Sequence, residues 1–165
     1  MKEPSGGKVW FIGAGPGAAD LLTLRAARVI AEADVVIWAS SLVQAEILTH
    51  ARSDAVIIDS ASFPLEGVLP LYERAAAEGL VVARIHSGDP ALFGAIQEQL
   101  DRCVELGLDV EIVPGVSSFT AAAAAATGTH SNHPAAPRCP GASASPSSSR
   151  AILRRTCAPP SPGGC

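Results

Sequence analysis

The sequence predicts an α/β fold: a five-stranded, mostly parallel sheet flanked by helices, followed by a disordered tail. Three observations predict it. Five short apolar runs, KVWFI, DVVIW, AVIID, LVVARI and DVEIV, recur between Lys8 and Val113. Such runs, rich in β-branched residues, suit strands buried on both faces. Between them, apolar residues return at helical spacing, and strands that alternate with helices build βαβ units. Finally, the composition breaks near Thr127. All 16 acidic residues precede it, whereas seven of the 13 prolines follow it.

Taken in order, residues 8–12 form the first strand and run into the glycine loop GAGPGAAD (13–20). Asp20 stands where it can cap a helix with Leu21, Leu24, Ala27, Val29 and Ile30 on its apolar side. Residues 34–38 are the second strand, 41–50 a helical segment and 55–59 the third strand. A helix over 64–78 opens on Pro64, whose fixed φ suits a first turn, and is disturbed by Pro70. Residues 80–85 are the fourth strand. A helix over 91–106 ends at Gly107, a residue tolerant of the left-handed conformation that closes helices. Residues 109–113 are the fifth strand, and 117–126 begin a last helix. Strand order is not legible at this level, but ligands of such sheets bind beyond the carboxyl ends of the strands.

Residues 1–126 are therefore read as one folded domain and 127–165 as a Pro/Ser/Arg-rich tail. The tail buries too little apolar surface to offset the entropy of ordering it. The break falls just after SSFTAAAAAA, the first turns of a buried helix, where Gly128, His130, Asn132 and Pro134 intervene. A shifted reading frame or a cut gene is the expectation at this point.

A net charge of −4 argues against nucleic acid as the main partner. The opening KEPSGG lacks the apolar run of a signal peptide, and no stretch approaches the ~20 apolar residues of a membrane span. A cytoplasmic protein is expected. Cys103 lies in a helical pattern and reads as a small buried hydrophobe. Cys139, Cys157 and Cys165 form no CxxC pair, so neither zinc nor a disulfide framework is expected.

Three loops at strand ends carry polar chemistry. In GAGPGAAD, the residues Gly13, Gly15 and Ala18 fit a dinucleotide fingerprint. However, Pro16 and Gly17 delay the helix, and the second strand ends VVIWASS without the acid that would hold a ribose. In HSGDPA, Gly88 permits a positive φ, and Asp89 either caps a helix or accepts hydrogen bonds from a ligand. His86 is either a base or a structural residue. In PGVSS, Ser117 or Ser118 either caps a helix or meets a ligand. No Ser-His-Asp set and no GxSxG elbow is present.

Together the segments FIGAGPGAADLLTLRAARVIAEADVVIWASSLV, RIHSGDPALFGAIQEQL and EIVPGVSSFTAAAAAA resemble the tetrapyrrole methylase family over roughly residues 8–126. SSLV and HSGDPALFGAIQEQ look most like the branch that methylates a corrin precursor in cobalamin biosynthesis. The resemblance implies that 1–126 are the N-terminal lobe of a two-lobed, usually homodimeric enzyme. It implies S-adenosylmethionine as methyl donor and a tetrapyrrole (precorrin) as substrate. It places Pro16 in a glycine loop on the tetrapyrrole side. It places Ser87, Gly88, Asp89 and Leu92 in the donor-binding turn, with Ser117 and Ser118 as a small pair that also touches the donor. No catalytic base is expected, because the sulfonium methyl is already activated. Substrate carboxylates would favour an arginine, with Arg25, Arg28, Arg52 and Arg84 all open. Family members continue past the alanine run into a second lobe of similar size, so weak or absent methyl transfer is expected here. A dinucleotide-binding oxidoreductase lobe and a non-catalytic fragment are the alternatives.

Overall fold

The computed structural model describes residues 6–126, Phe93 excepted. Its elements are β1 (Lys8–Gly13), α1 (Leu24–Glu32), β2 (Val35–Trp38), β3 (Val56–Asp59), α2 (Leu65–Glu78), β4 (Val81–His86), α3 (Gln97–Glu105), β5 (Asp109–Val113) and α4 (Ser118–Ala126). Every strand pairing is parallel, and the sheet order is β3-β2-β4-β1-β5. The two central strands, β1 and β4, run in register from Lys8 opposite Val81 to Gly13 opposite His86.

Because successive side chains point to opposite faces of a strand, the sheet buries two apolar layers. Ile12, Val36, Ala83 and Ile85 pack on the side of α1, against Ala26, Val29 and Ile30. Val9, Phe11, Val35, Ile37 and Val82 pack on the other side, against Val68, Tyr72 and Ala75 of α2 and Cys103 of α3. Cys103 is fully buried and free, as its sequence context predicts, and burial pushes its thiol up to about 12. The edge strand β3 leaves Val56 and Ile57 exposed. None of the helices among the described residues is long and apolar enough to cross a membrane.

Three expectations need correction. First, Asp20 does not cap α1. Residues Ala19–Leu21 make a short 3₁₀ turn, and Thr23 is the cap: its Oγ1 accepts a hydrogen bond from the Ala26 amide at 3.1 Å. Leu21 and Leu24 consequently face solvent, and the buried stripe is Ala26, Val29 and Ile30. Thr23→Ala should cost about 1 kcal/mol, read as a lower denaturant midpoint at unchanged slope. Second, residues 41–50 form no α-helix. Only Ala45–His50 coil, as 3₁₀ turns that bury Ile47. Third, α3 starts at Gln97 rather than Ala91. Pro90 opens a tight turn instead, in which the Leu92 amide donates to the Asp89 carbonyl at 3.0 Å. Ala95 then sits at φ 46°, a left-handed conformation that interrupts any helix.

The remaining helices follow the sequence reading. Pro64 precedes α2, which runs through Pro70, and Gly107 (φ 73°) follows α3 in the left-handed region. The proposed boundary and tail at 127–165, with Cys139, Cys157 and Cys165, lie outside the described residues.

Candidate functional site

Strand order brings the carboxyl ends of β4, β1 and β5 side by side, and the three polar loops meet there. The Ala14 amide donates to the His86 carbonyl at 2.8 Å. Gly15 and Gly88 then exchange amide-to-carbonyl bonds at 3.1 and 2.7 Å, an antiparallel bridge that ties the first loop to the second. Both glycines take positive φ, 78° and 63°. The third loop closes on the other two just as tightly. A Cβ on Gly115 would lie 2.1 Å from the Gly88 carbonyl oxygen and 2.8 Å from Gly13 Cα, and a Cβ on Gly13 would lie 2.5 Å from the Gly115 nitrogen. Three strand ends are thus held at backbone-to-backbone distance, which only glycine allows.

Above this junction lies a cavity of about 340 Å³, within the ordinary range for a small-molecule site. Six of the seven residues singled out from sequence line it: Ser87, Gly88, Asp89, Leu92, Ser117 and Ser118. Pro16, the seventh, is not part of its wall. Leu42 and Val43, from the segment after β2, supply an apolar side, and Phe119 another.

The polar residues here have local duties as well. Asp89 Oδ1 accepts from the Ala91 amide at 3.0 Å, which shapes the turn rather than capping a helix. Ser117 Oγ accepts from the Phe119 amide at 3.3 Å, and the Ser117 carbonyl accepts from Ala121, so Ser117 does cap α4. Asp89 and Ser117 thus each shape the backbone while lining the cavity.

Arg84 and His86 also line the cavity. Arg84 and His86 alternate with Ala83 and Ile85 on β4, so both project to the α2/α3 side of the sheet. The His86 ring stacks on Phe11 with centroids 5.9 Å apart, and its buried Nε2 has no hydrogen-bond partner among the described residues. Burial, with a further contribution from Arg84, lowers the imidazole to about 4, so it is neutral at pH 7. The unfolded chain protonates this histidine near 6.5 and the native protein only near 4. Stability should therefore be lost as pH falls from 6.5 towards 4, where the unfolded state binds more protons. Denaturant unfolding at stepped pH checks this: His86→Asn should show a shallower loss than the parent across that window.

Arg84 is half-buried, and burial lowers its pKa. Its Nε donates to Gln99 Oε1 at 3.2 Å and its Nη1 to Ser60 Oγ at 2.6 Å. Ser60 Oγ in turn donates to the Trp38 carbonyl at 2.8 Å, and Tyr72 donates to Gln99 Oε1 at 3.0 Å. The guanidinium is thus oriented by neutral acceptors. The geometry does not favour a dinucleotide. No helix begins within the glycine run, and β2 ends at Trp38 followed by Ala39, with no acid there.

A parallel sheet in order β3-β2-β4-β1-β5, with three glycine-locked loops beside a cavity walled by the segments after β2, β4 and β5, defines a class that comparison makes explicit. Residues 8–155 match the family model described as Tetrapyrrole (Corrin/Porphyrin) Methylases, and the chain belongs to that family. Among individual proteins, it is 50% identical over 116 residues to a precorrin-4 C(11)-methyltransferase of Rhodococcus erythropolis, covering 70% of this chain and 47% of that one. It is 45% identical over 117 residues to a cobalt-precorrin-4 C(11)-methyltransferase of Methanocaldococcus jannaschii, covering 71% and 45%. The X-ray structure of a cobalt precorrin-4 methyltransferase, a cobalamin biosynthetic enzyme, superposes with TM-score 0.71 at 41% identity over 77% of this chain and 53% of that chain. A uroporphyrin-III C-methyltransferase of Thermus thermophilus, solved with S-adenosylhomocysteine, does so with TM-score 0.59 at 34% identity over 71% and 48%. The chain spans about half the length of the curated relatives it matches.

Proposed function

We propose that this chain serves the S-adenosylmethionine-dependent methylation of precorrin-4 at C-11, with residues 8–126 as the lobe that cradles the methyl donor. The observation that carries this reading is the meeting of the β4 and β5 loops, with the segment after β2, around one cavity, while the β1 loop is locked to the β4 and β5 loops through Gly13, Gly15, Gly88 and Gly115. The printed names of the relatives supply the substrate.

The residues present fit the donor. The positive φ of Gly88 leaves the turn free of a side chain, and the partnerless His86 Nε2 leaves a buried polar atom for a ligand. When bound, S-adenosylmethionine supplies a methyl group already activated by its sulfonium charge. The chain's own part is to bind and orient. Ser87, Gly88 and Asp89 offer a polar turn, Leu92 and Leu42 apolar cover, and Ser117 and Ser118 a narrow, small-residue wall. Holding two reactants in register is worth up to roughly 7–11 kcal/mol in ideal intramolecular cases. Pro16 falls to the tetrapyrrole side of the glycine loop, away from the donor.

Calorimetric titration tests the reading. S-adenosylhomocysteine should bind, and NAD should not. Binding of NAD alone would favour the oxidoreductase alternative, and binding of neither the non-catalytic one. Because the chain spans about half of its relatives, methyl transfer from donor to precorrin-4 by this chain alone should fall well below that of a full-length relative. Turnover equal to such a relative would refute that part.

A further inference from the structure

The sequence leaves four arginines open as the partner of a ligand carboxylate, and the structure separates them. Arg25 and Arg28 lie on the exposed side of α1, outside the cavity wall. Arg52 is already ion-paired to Asp34 and Asp54, each at 3.0 Å. Arg84 alone of the four lines the cavity, and among the described residues no carboxylate lies within ion-pair distance of it. Its printed partners, Gln99 Oε1 and Ser60 Oγ, are neutral.

A half-buried guanidinium without a counter-charge among the described residues is costly, because neutral acceptors replace only part of its lost hydration. The protein nevertheless invests a network in aiming it. Tyr72 and Gln99 hold one side, and Ser60, itself fixed to the Trp38 carbonyl, holds the other. Further N–H groups of the planar fork remain for an incoming planar acceptor. Two residues along the same strand face, His86 presents a second buried polar atom, Nε2, that has no partner. A cation fixed by neutral neighbours, next to an unsatisfied polar atom in one cavity wall, is a site for an anion that arrives with the ligand.

We propose that Arg84 is the carboxylate-binding residue of this cavity, pairing its guanidinium with a carboxylate of the bound ligand, and that the His86 ring flanks that contact. This rests on the methyl-donor reading above. The carboxylate has two possible sources with the same chemistry: the amino-acid end of the donor or an acid side chain of the tetrapyrrole.

The test compares the full chain with Arg84→Gln and Arg84→Lys by calorimetry. The probes are S-adenosylhomocysteine, 5′-methylthioadenosine, which lacks the amino-acid end, and uroporphyrin III, a tetrapyrrole carrying carboxylates. If the donor is the source, Arg84→Gln should weaken S-adenosylhomocysteine about tenfold or more while methylthioadenosine changes less than about twofold. If the tetrapyrrole is the source, uroporphyrin III should weaken by that factor and both nucleosides should be spared. Arg84→Lys should recover part of either loss. Retained methylthioadenosine binding shows that the variant's pocket is folded. Equal weakening of all three probes, or weakening of none, would overturn the role of Arg84 while leaving the donor reading intact. A parent chain that binds neither nucleoside would overturn both.

Discussion

Gly115→Ala is expected to destabilise the native state by about 3 kcal/mol and to abolish S-adenosylhomocysteine binding. The added Cβ would stand 2.1 Å from the Gly88 carbonyl oxygen and 2.8 Å from Gly13 Cα. Neither is the end of a flexible side chain. Both belong to backbone already fixed by strand pairing and by the Gly15–Gly88 bridge. Relief therefore requires one strand end to withdraw, which opens the junction beneath the cavity. Thermal or denaturant unfolding reads the first effect and calorimetry the second. A variant with parental stability and parental affinity would mean that the three loops are not locked as described.

Phe11→Ala is the second large effect. Phe11 is fully buried in β1, opposite Arg84 in the β1–β4 register, and its ring supports the His86 imidazole. Truncating a buried phenylalanine costs about 3–5 kcal/mol. The space left behind lies against His86, a residue of the cavity wall, so the consequence reaches beyond stability. With the stacking ring gone and water admitted, the His86 pKa should rise from about 4 towards its ordinary 6.5. Denaturant unfolding measures the loss, and NMR titration of the imidazole measures the shift. A loss under about 1 kcal/mol would show that the layer beneath β1 and β4 is not packed as described.

Much of the sheet was legible because parallel strands leave a local mark. The run DVEIV became β5 residue for residue, and the other strands begin or end within a residue of their apolar runs. Helix starts were less legible, because the residues that open helices also open turns. Asp20 reads as a helix cap, and Asp89 as either a cap or a ligand's acceptor. Asp20 instead sits in a 3₁₀ turn, and Asp89 holds a turn through the Ala91 amide. Ala95 at φ 46° left no trace at all, since alanine normally favours a helix.

The site divides in the same way. Glycine, serine and aspartate in loops stand out in a sequence, and five such positions, Ser87, Gly88, Asp89, Ser117 and Ser118, line the cavity together with Leu92. Arg84 and His86 sit inside a strand, where a lone polar residue reads as incidental. Their place in the cavity wall depends on strand order, which sets β4 between β1 and β2 and turns that face towards Gln99 and Ser60. Order is a property of long-range pairing, so no local window contains it.

The most direct test follows the backbone amides of the ¹⁵N-labelled chain as S-adenosylhomocysteine is added. The largest shifts should cluster at Ser87–Leu92 and at Ser117–Phe119, with a weaker response at Leu42 and Val43. Saturable shifts confined to other surfaces, such as the exposed β3 edge, would contradict the shared cavity at the ends of β2, β4 and β5.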